Sequence, residues 1–187
     1  MLKKTAAKAN KISAFVYRTI RGCPTKVHST CYKGLVRPIM EYASTVWHTP
    51  SSENPGSPDC LERVQRRSAR RIFRDFSRKT SASELVRKLD LPLLSQRRKV
   101  ARSVMMYKVM HGLVDLKPKE GVVTAITRPS RVQPKKIHEL ATHINAHHDS
   151  FFPAAIRTWN QLPAKISSVD TISAFKRNVE GWVSASR

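Results

Sequence analysis

Six arginines stand three and four residues apart within Leu61–Phe76, LERVQRRSARRIFRDF. At about 100° per residue, Arg63, Arg66, Arg67, Arg70, Arg71 and Arg74 fall on one continuous side of a helix. Leu61, Val64, Ala69, Ile72, Phe73 and Phe76 take the opposite side. Guanidinium forks match phosphate oxygens in geometry and stay charged at any relevant pH, so the chemistry this predicts is anion binding. A charged helical face is ordinarily only a solvated one. This one carries a single sign with few acidic partners at i,i+4, and it repels itself until an anion arrives. The whole chain leans the same way: 35 Lys and Arg against 13 Asp and Glu give a net charge of +22 over 187 residues. So large an excess is compensated by a polyanion, with nucleic acid the first candidate and an anionic membrane surface the second.

Other chemistries fit less well. His138, His143, His147 and His148 are spaced so that two can share a helical face, and Glu139 or Asp149 could add a carboxylate. The run matches no HExxH or Cys/His finger spacing, and Cys23, Cys31 and Cys60 lie far away, so no metal ligands are expected. The expected state is a basic, solvent-exposed loop whose imidazoles gain charge below about pH 6.5. His148, Asp149 and Ser150 are adjacent in sequence, but a catalytic triad is defined by geometry that adjacency does not supply. Asp59, Glu62 and Asp170 are better explained as helix-capping charges than as a metal-binding carboxylate pair. No catalytic residue and no cofactor is therefore expected. Three cysteines without CxxC spacing predict reduced thiols in an intracellular protein, nuclear or cytoplasmic. There is no secretory signal pattern, no apolar run approaches the roughly 20 residues that span a bilayer, and no membrane partner is expected.

The elements that must hold these residues are helical. From about Thr5 to Arg21, Ile12, Phe15, Val16 and Ile20 recur at helical spacing, and Gly22-Cys23-Pro24 stops the helix through a left-handed glycine cap. A second pattern runs from about Lys26 to Trp47, with a kink or restart at Pro38. Thr49–Pro58 is a Pro/Ser/Gly loop leading to the arginine helix. Ser81 and Glu84 form a capping box for a helix to about Leu89. Leu91-Pro92 ends it, and a longer helix covers Leu93–Gly112, with Val100, Ala101, Val104, Met105 and Val109 inward and Arg97, Arg98, Lys99 and Arg102 outward. Tyr17, Tyr32, Tyr42, Tyr107 and Trp159 read mostly as core, and Trp47, at a helix end, is less clearly so. Asp115–Lys136 is irregular with a β-like run at Val122–Ile126. An ordered segment follows from Phe151 through Trp159 and Leu162. Ser168–Asp170 leads into a last helix, Thr171 to about Val183, with Ile172, Phe175, Val179, Trp182 and Val183 on one side.

Leu35-Val-Arg-Pro38, Glu41-Tyr-Ala-Ser44, Val46-Trp47 and Leu61-Glu-Arg-Val-Gln-Arg-Arg67 resemble the C-terminal region of non-LTR (LINE-type) retrotransposon reverse transcriptases. Lys8–Lys11, Phe15–Arg21, Ser83–Leu89 with Arg97-Arg98, Tyr107-Lys108, Phe151–Pro153, Ile156-Arg157, Trp159–Pro163 and Phe175-Lys176 follow in the same order. The resemblance implies a helical thumb and a downstream extension, a thumb that grips template–primer duplex through its backbone. The family's polymerase box, an aromatic residue followed by Ala and two Asp, is missing, as are the endonuclease and a terminal Cys/His knuckle. His48-Thr49 also stand where the family usually has Asp or Asn and Pro. The expectation is a remnant that is not an enzyme by itself.

Taken together, the sequence predicts an all-α protein. An irregular, thumb-like helical bundle covers residues 1–114, a flexible basic His-containing linker 115–150, and a small mostly helical segment 151–187. The expected partner is RNA, DNA or an RNA–DNA hybrid, bound through phosphates without sequence specificity by Arg63, Arg66, Arg67, Arg70, Arg71 and Arg74. Arg97, Arg98, Lys99 and Arg102 help if their helix lies alongside. Replacing Arg66, Arg70 and Arg74 with Gln is expected to weaken binding and leave the fold intact. The alternatives are a helical protein-interaction module and an inert, partly folded remnant.

Overall fold

The structure, a computed structural model, describes residues 2–47, 60–114, 137 and 144–185. In chain order its helices are α1 (Leu2–Thr19), α2 (Thr25–Cys31), α3 (Arg37–Glu41), α4 (Ser44–Trp47), α5 (Cys60–Phe73) and α6 (Ala82–Lys88). Then come α7 (Leu94–Met110), α8 (Asn145–His148), α9 (Phe151–Asn160), α10 (Ala164–Ser167) and α11 (Ile172–Ala185). A π-helical turn, Tyr32–Val36, joins α2 to α3. No strand occurs among the described residues, and the fold is all-α. The loop Thr49–Pro58, the β-like run Val122–Ile126 and His138 and His143 lie outside the described residues. The described residues form two compact units, one of 2–42 and 60–94, the other of 43–47, 95–114, 137 and 144–185.

In the first unit, backbone chemistry sets each helix end. Gly22 does not adopt the expected left-handed cap; Cys23 N–H bonds Ile20 O at 2.9 Å instead, and Pro24 stands as N-cap of α2. Pro38 has no N–H to give, and its ring crowds the carbonyl four residues back in a regular helix. The chain answers not with a break at Pro38 but with the π turn just before it, where Arg37 N–H reaches back five residues to Tyr32 O. The break comes later, at Ala43, whose φ is 50°. α5 stops at Phe73, short of the expected Phe76. Arg74 turns left-handed (φ 54°), and the N–H groups of Arg74 and Asp75 close on the carbonyls of Arg71 and Arg70 at 3.1 and 3.0 Å. That is a Schellman closure with arginine where glycine is usual. Phe76 is thereby thrown off the apolar side and is 64% exposed. The capping box at Ser81 does not form, since the Ser81 side chain makes no cap bond and Glu84 pairs with Lys88 at 3.1 Å.

α1 buries Ala6, Ala9 and Ser13, small residues that let it pack closely on α5, where Ser68 and Ala69 are also buried. Ser13 Oγ meets Ser68 Oγ at 2.8 Å. Tyr32, Val36, Met40, Leu61, Val64, Ile72 and Leu85 supply the apolar bulk. Gln65, buried in their midst, accepts from Tyr32 OH at 2.9 Å and donates to Pro92 O at 3.1 Å, so its amide is satisfied at both ends.

The second unit gathers Val100, Met106 and Tyr107 of α7 with Ile156, Trp159 and Leu162 around α9 and Phe175, Val179 and Val183 of α11. Tyr107 and Trp159 flank Phe175 with ring centroids 4.4 and 5.8 Å from it, and Tyr107 OH donates to Val169 O at 2.9 Å. From Ser95 onward α7 thus shares a core with the C-terminal helices, whereas the sequence grouped it with residues 1–114. Its pattern also differs from expectation. Arg98 and Arg102, expected outward, are buried at 2% and 3% exposure, while Ala101 is exposed. Gly112 (φ 64°) closes α7 through Val109 O and Lys108 O. Thr171 stands just before α11, and its hydroxyl accepts from Ala174 N–H at 3.4 Å; Asp170, expected to cap, is exposed.

Candidate functional site

Packing on one face of α5 forces its arginines to the other, but the structure divides them into two groups. Arg70 is a brace. Its Nη1 donates to Ser77 O at 2.8 Å and Asp75 O at 3.3 Å, and its Nη2 donates to Thr80 O at 3.0 Å. Three carbonyls of the turn after α5 thus converge on one guanidinium. Arg71 Nη1 donates to Ser13 Oγ at 3.0 Å, beside a narrow, water-sized cleft also lined by Tyr17 and His28. Partial burial, then the neighbouring Arg67 and Arg18 cations, hold the Arg71 pKa below its usual value. Arg74 Nη2 donates to Arg21 O, at the end of α1. Arg63, Arg66 and Arg67 make no hydrogen bond or ion pair among the described residues. Arg63 and Arg67 are exposed and Arg66 is half-buried. Of the six expected phosphate ligands, three hold the fold together and three have donors to spare.

A second row of cations stands on the helix that packs against α5. Ser13 meets Ser68 and Arg21 meets Arg74, so α1 and α5 run side by side in the same direction. On α1, Lys4, Lys8, Lys11 and Arg18 are exposed. They follow spacings of four, three and seven residues, which confines them to an arc of about 80°. None has an acidic partner among the described residues. Arg18 and Arg67 both act on Arg71, so at this end of the pair the cations of α1 and α5 share one field. That spacing is legible in the sequence itself, interleaved with the apolar residues that mark the helix.

The α7 cations are placed differently. Arg98 sits with Cζ 6.0 Å from the Trp47 ring centroid, and Lys99 Nζ is 4.7 Å from that of Trp182. Arg97 and Lys99 are half-buried, and Arg98 and Arg102 are buried. From Arg97 on they belong to the second unit, α5 to the first. Buried guanidiniums cannot offer forks to a phosphate, so Arg98 and Arg102 are not available as donors in this conformation.

His147 and His148 are exposed, and His148 Nδ1 lies 3.2 Å from Asp149 Oδ1. Among the described residues no group of three His, Cys, Asp or Glu side chains is placed to hold a metal ion. No described helix is long and apolar enough to cross a membrane. Tyr32, Tyr107 and Trp159 are buried, as a core role requires. Tyr42 is instead 81% exposed, because it precedes the left-handed turn at Ala43. What this arrangement can do chemically is accept anions along two parallel helices. Set against protein-family models, curated proteins and solved structures, the chain matches none of them.

Proposed function

We propose that the chain binds the phosphate backbone of RNA, DNA or an RNA–DNA hybrid without reading its sequence, in the manner of the thumb region of a LINE-type reverse transcriptase. The observation that carries this reading is the pair of parallel helices, α1 and α5, whose exposed Lys4, Lys8, Lys11, Arg18, Arg63 and Arg67 have no acidic partners among the described residues. Half-buried Arg66 adds a seventh cation at the edge. Separated like charges on rigid helices suit a regular polyanion better than one small ligand. In this role the chain holds nucleic acid and performs no polymerisation, since it carries no paired carboxylates of the family's polymerase box. No cofactor enters it.

The test is affinity for a short RNA–DNA hybrid from about 50 to 200 mM salt, where contact with roughly six to ten phosphates costs about a thousandfold or more. Replacing Arg63 and Arg67 together with Gln should leave helix content unchanged and flatten the log–log salt slope by about two. A flat salt response in the parent protein overturns the proposal, as does tight binding to an acidic protein that competing RNA does not displace.

A further inference from the structure

Phe15 projects from the wrong side of α1 for a core residue. It lies about 150° around the helix from the middle of the buried Ala6–Ala9–Ser13 stripe. It is 59% exposed, among the most exposed large apolar side chains of the first unit. Its neighbours on that face are Lys11 four residues before it, Lys8 seven before it and Arg18 three after it, all exposed. The four cations and the ring share one arc, spread over about 21 Å of helix axis from Lys4 to Arg18. An aromatic ring more than half in water among cations gains little from the fold. It gains a good deal from a flat partner whose charges lie to either side.

We infer that Phe15 is a stacking platform for an unpaired base, and that the α1 face therefore takes single-stranded nucleic acid in preference to duplex. The inference rests on the phosphate-binding reading above and adds to it a ligand class. A base in single-stranded RNA or DNA presents a free π-face with a phosphate on each side, which matches one ring flanked by Lys8, Lys11 and Arg18. In a duplex the base faces are already stacked, and the ring meets only backbone. An anionic membrane is the lesser fit, because insertion needs a broad apolar face, and this arc offers one ring among cations.

The experiment compares a 5′-labelled single-stranded oligonucleotide with a duplex of the same length by fluorescence anisotropy at fixed salt. The variants are Phe15→Ala, Phe15→Trp and the Arg63→Gln/Arg67→Gln pair. Phe15→Ala should weaken single-strand binding between about fivefold and a hundredfold, and leave duplex binding within about twofold. Phe15→Trp should restore or tighten it, and the arginine pair should weaken both ligands. Equal loss on both ligands, or no loss on the single strand, overturns the stacking role while leaving the phosphate grip standing. Loss of binding to phosphatidylserine vesicles with oligonucleotide binding unchanged also overturns it. If neither oligonucleotide binds the parent protein in a salt-dependent way, the underlying reading falls first. Helix content by circular dichroism should be the same in all variants, since each replaced side chain is exposed.

Discussion

At the residue scale, Arg70 shows how a side chain can look functional in sequence and act structurally. Its guanidinium holds three carbonyls of the turn at 75–80. Hydrogen bonds from a charged donor contribute more than neutral ones, so Arg70→Gln should destabilise the protein by about 1–3 kcal/mol in urea unfolding, and Arg70→Lys should recover less than half of that because the fork is lost. An unchanged midpoint would refute the brace. For the same reason the triple replacement of Arg66, Arg70 and Arg74 is the wrong test of binding, since it removes two structural contacts together with one free cation. The same turn carries a pH signal. The Thr80 side chain first, and the Ser77 amide second, hold the Asp75 carboxyl below its usual value. The fold thus favours the ionised form, and this contribution is present above about pH 4, the ordinary aspartate range, and fades as the pH falls through the lowered value. The Ser77 amide resonance should titrate below that range, and titration at or above it would exclude the contact. The spacing of the six arginines made their common face legible. Their division did not show, because the partners of Arg70 and Arg74 are backbone carbonyls, which every residue has and no sequence pattern marks.

Helix boundaries were legible to within a few residues at the element scale, and the devices that made them were not. Left-handed residues close α5 at Arg74, follow α6 at Asp90 and break the chain after α3 at Ala43. Each is a position where glycine costs nothing and a side chain costs up to about 1–2 kcal/mol, least for Asp. Ala43 has no polar side chain to offset the strain, so Ala43→Gly should raise stability by up to about 1 kcal/mol in thermal or urea unfolding. A loss would show that the residue's other surroundings outweigh its φ. The α1–α5 contact was hidden for a related reason. Periodicity searches for large apolar residues, whereas this seam is built from Ala6, Ala9, Ser13, Ser68 and Ala69. Close helix approach leaves Ala9 fully buried. Ala9→Leu should overpack it and cost about 1–3 kcal/mol, a larger effect than any replacement of Lys8 beside it.

For the whole molecule, a net charge of +22 means that folding gathers like charges. Raising NaCl from about 50 to 300 mM should therefore lift the thermal midpoint by a few degrees through screening, and a short single-stranded oligonucleotide at low salt should lift it further. A midpoint that falls with salt would mean that ion pairs, not repulsion, dominate. The sequence by itself determined the all-α class, the basic character and the amphipathic arginine helix, because those follow from composition and 3.6-residue periodicity. The stripe of lysines on α1 was also written there, in plain spacing. Only the tertiary structure decided that α7 shares its core with α9 and α11, that Arg98 and Arg102 turn inward, and that Arg70, Arg71 and Arg74 have partners within the fold. The physical reason is that periodicity says which residues lie on one side of a helix, but not which neighbour covers that side. A cation's availability depends on the neighbour.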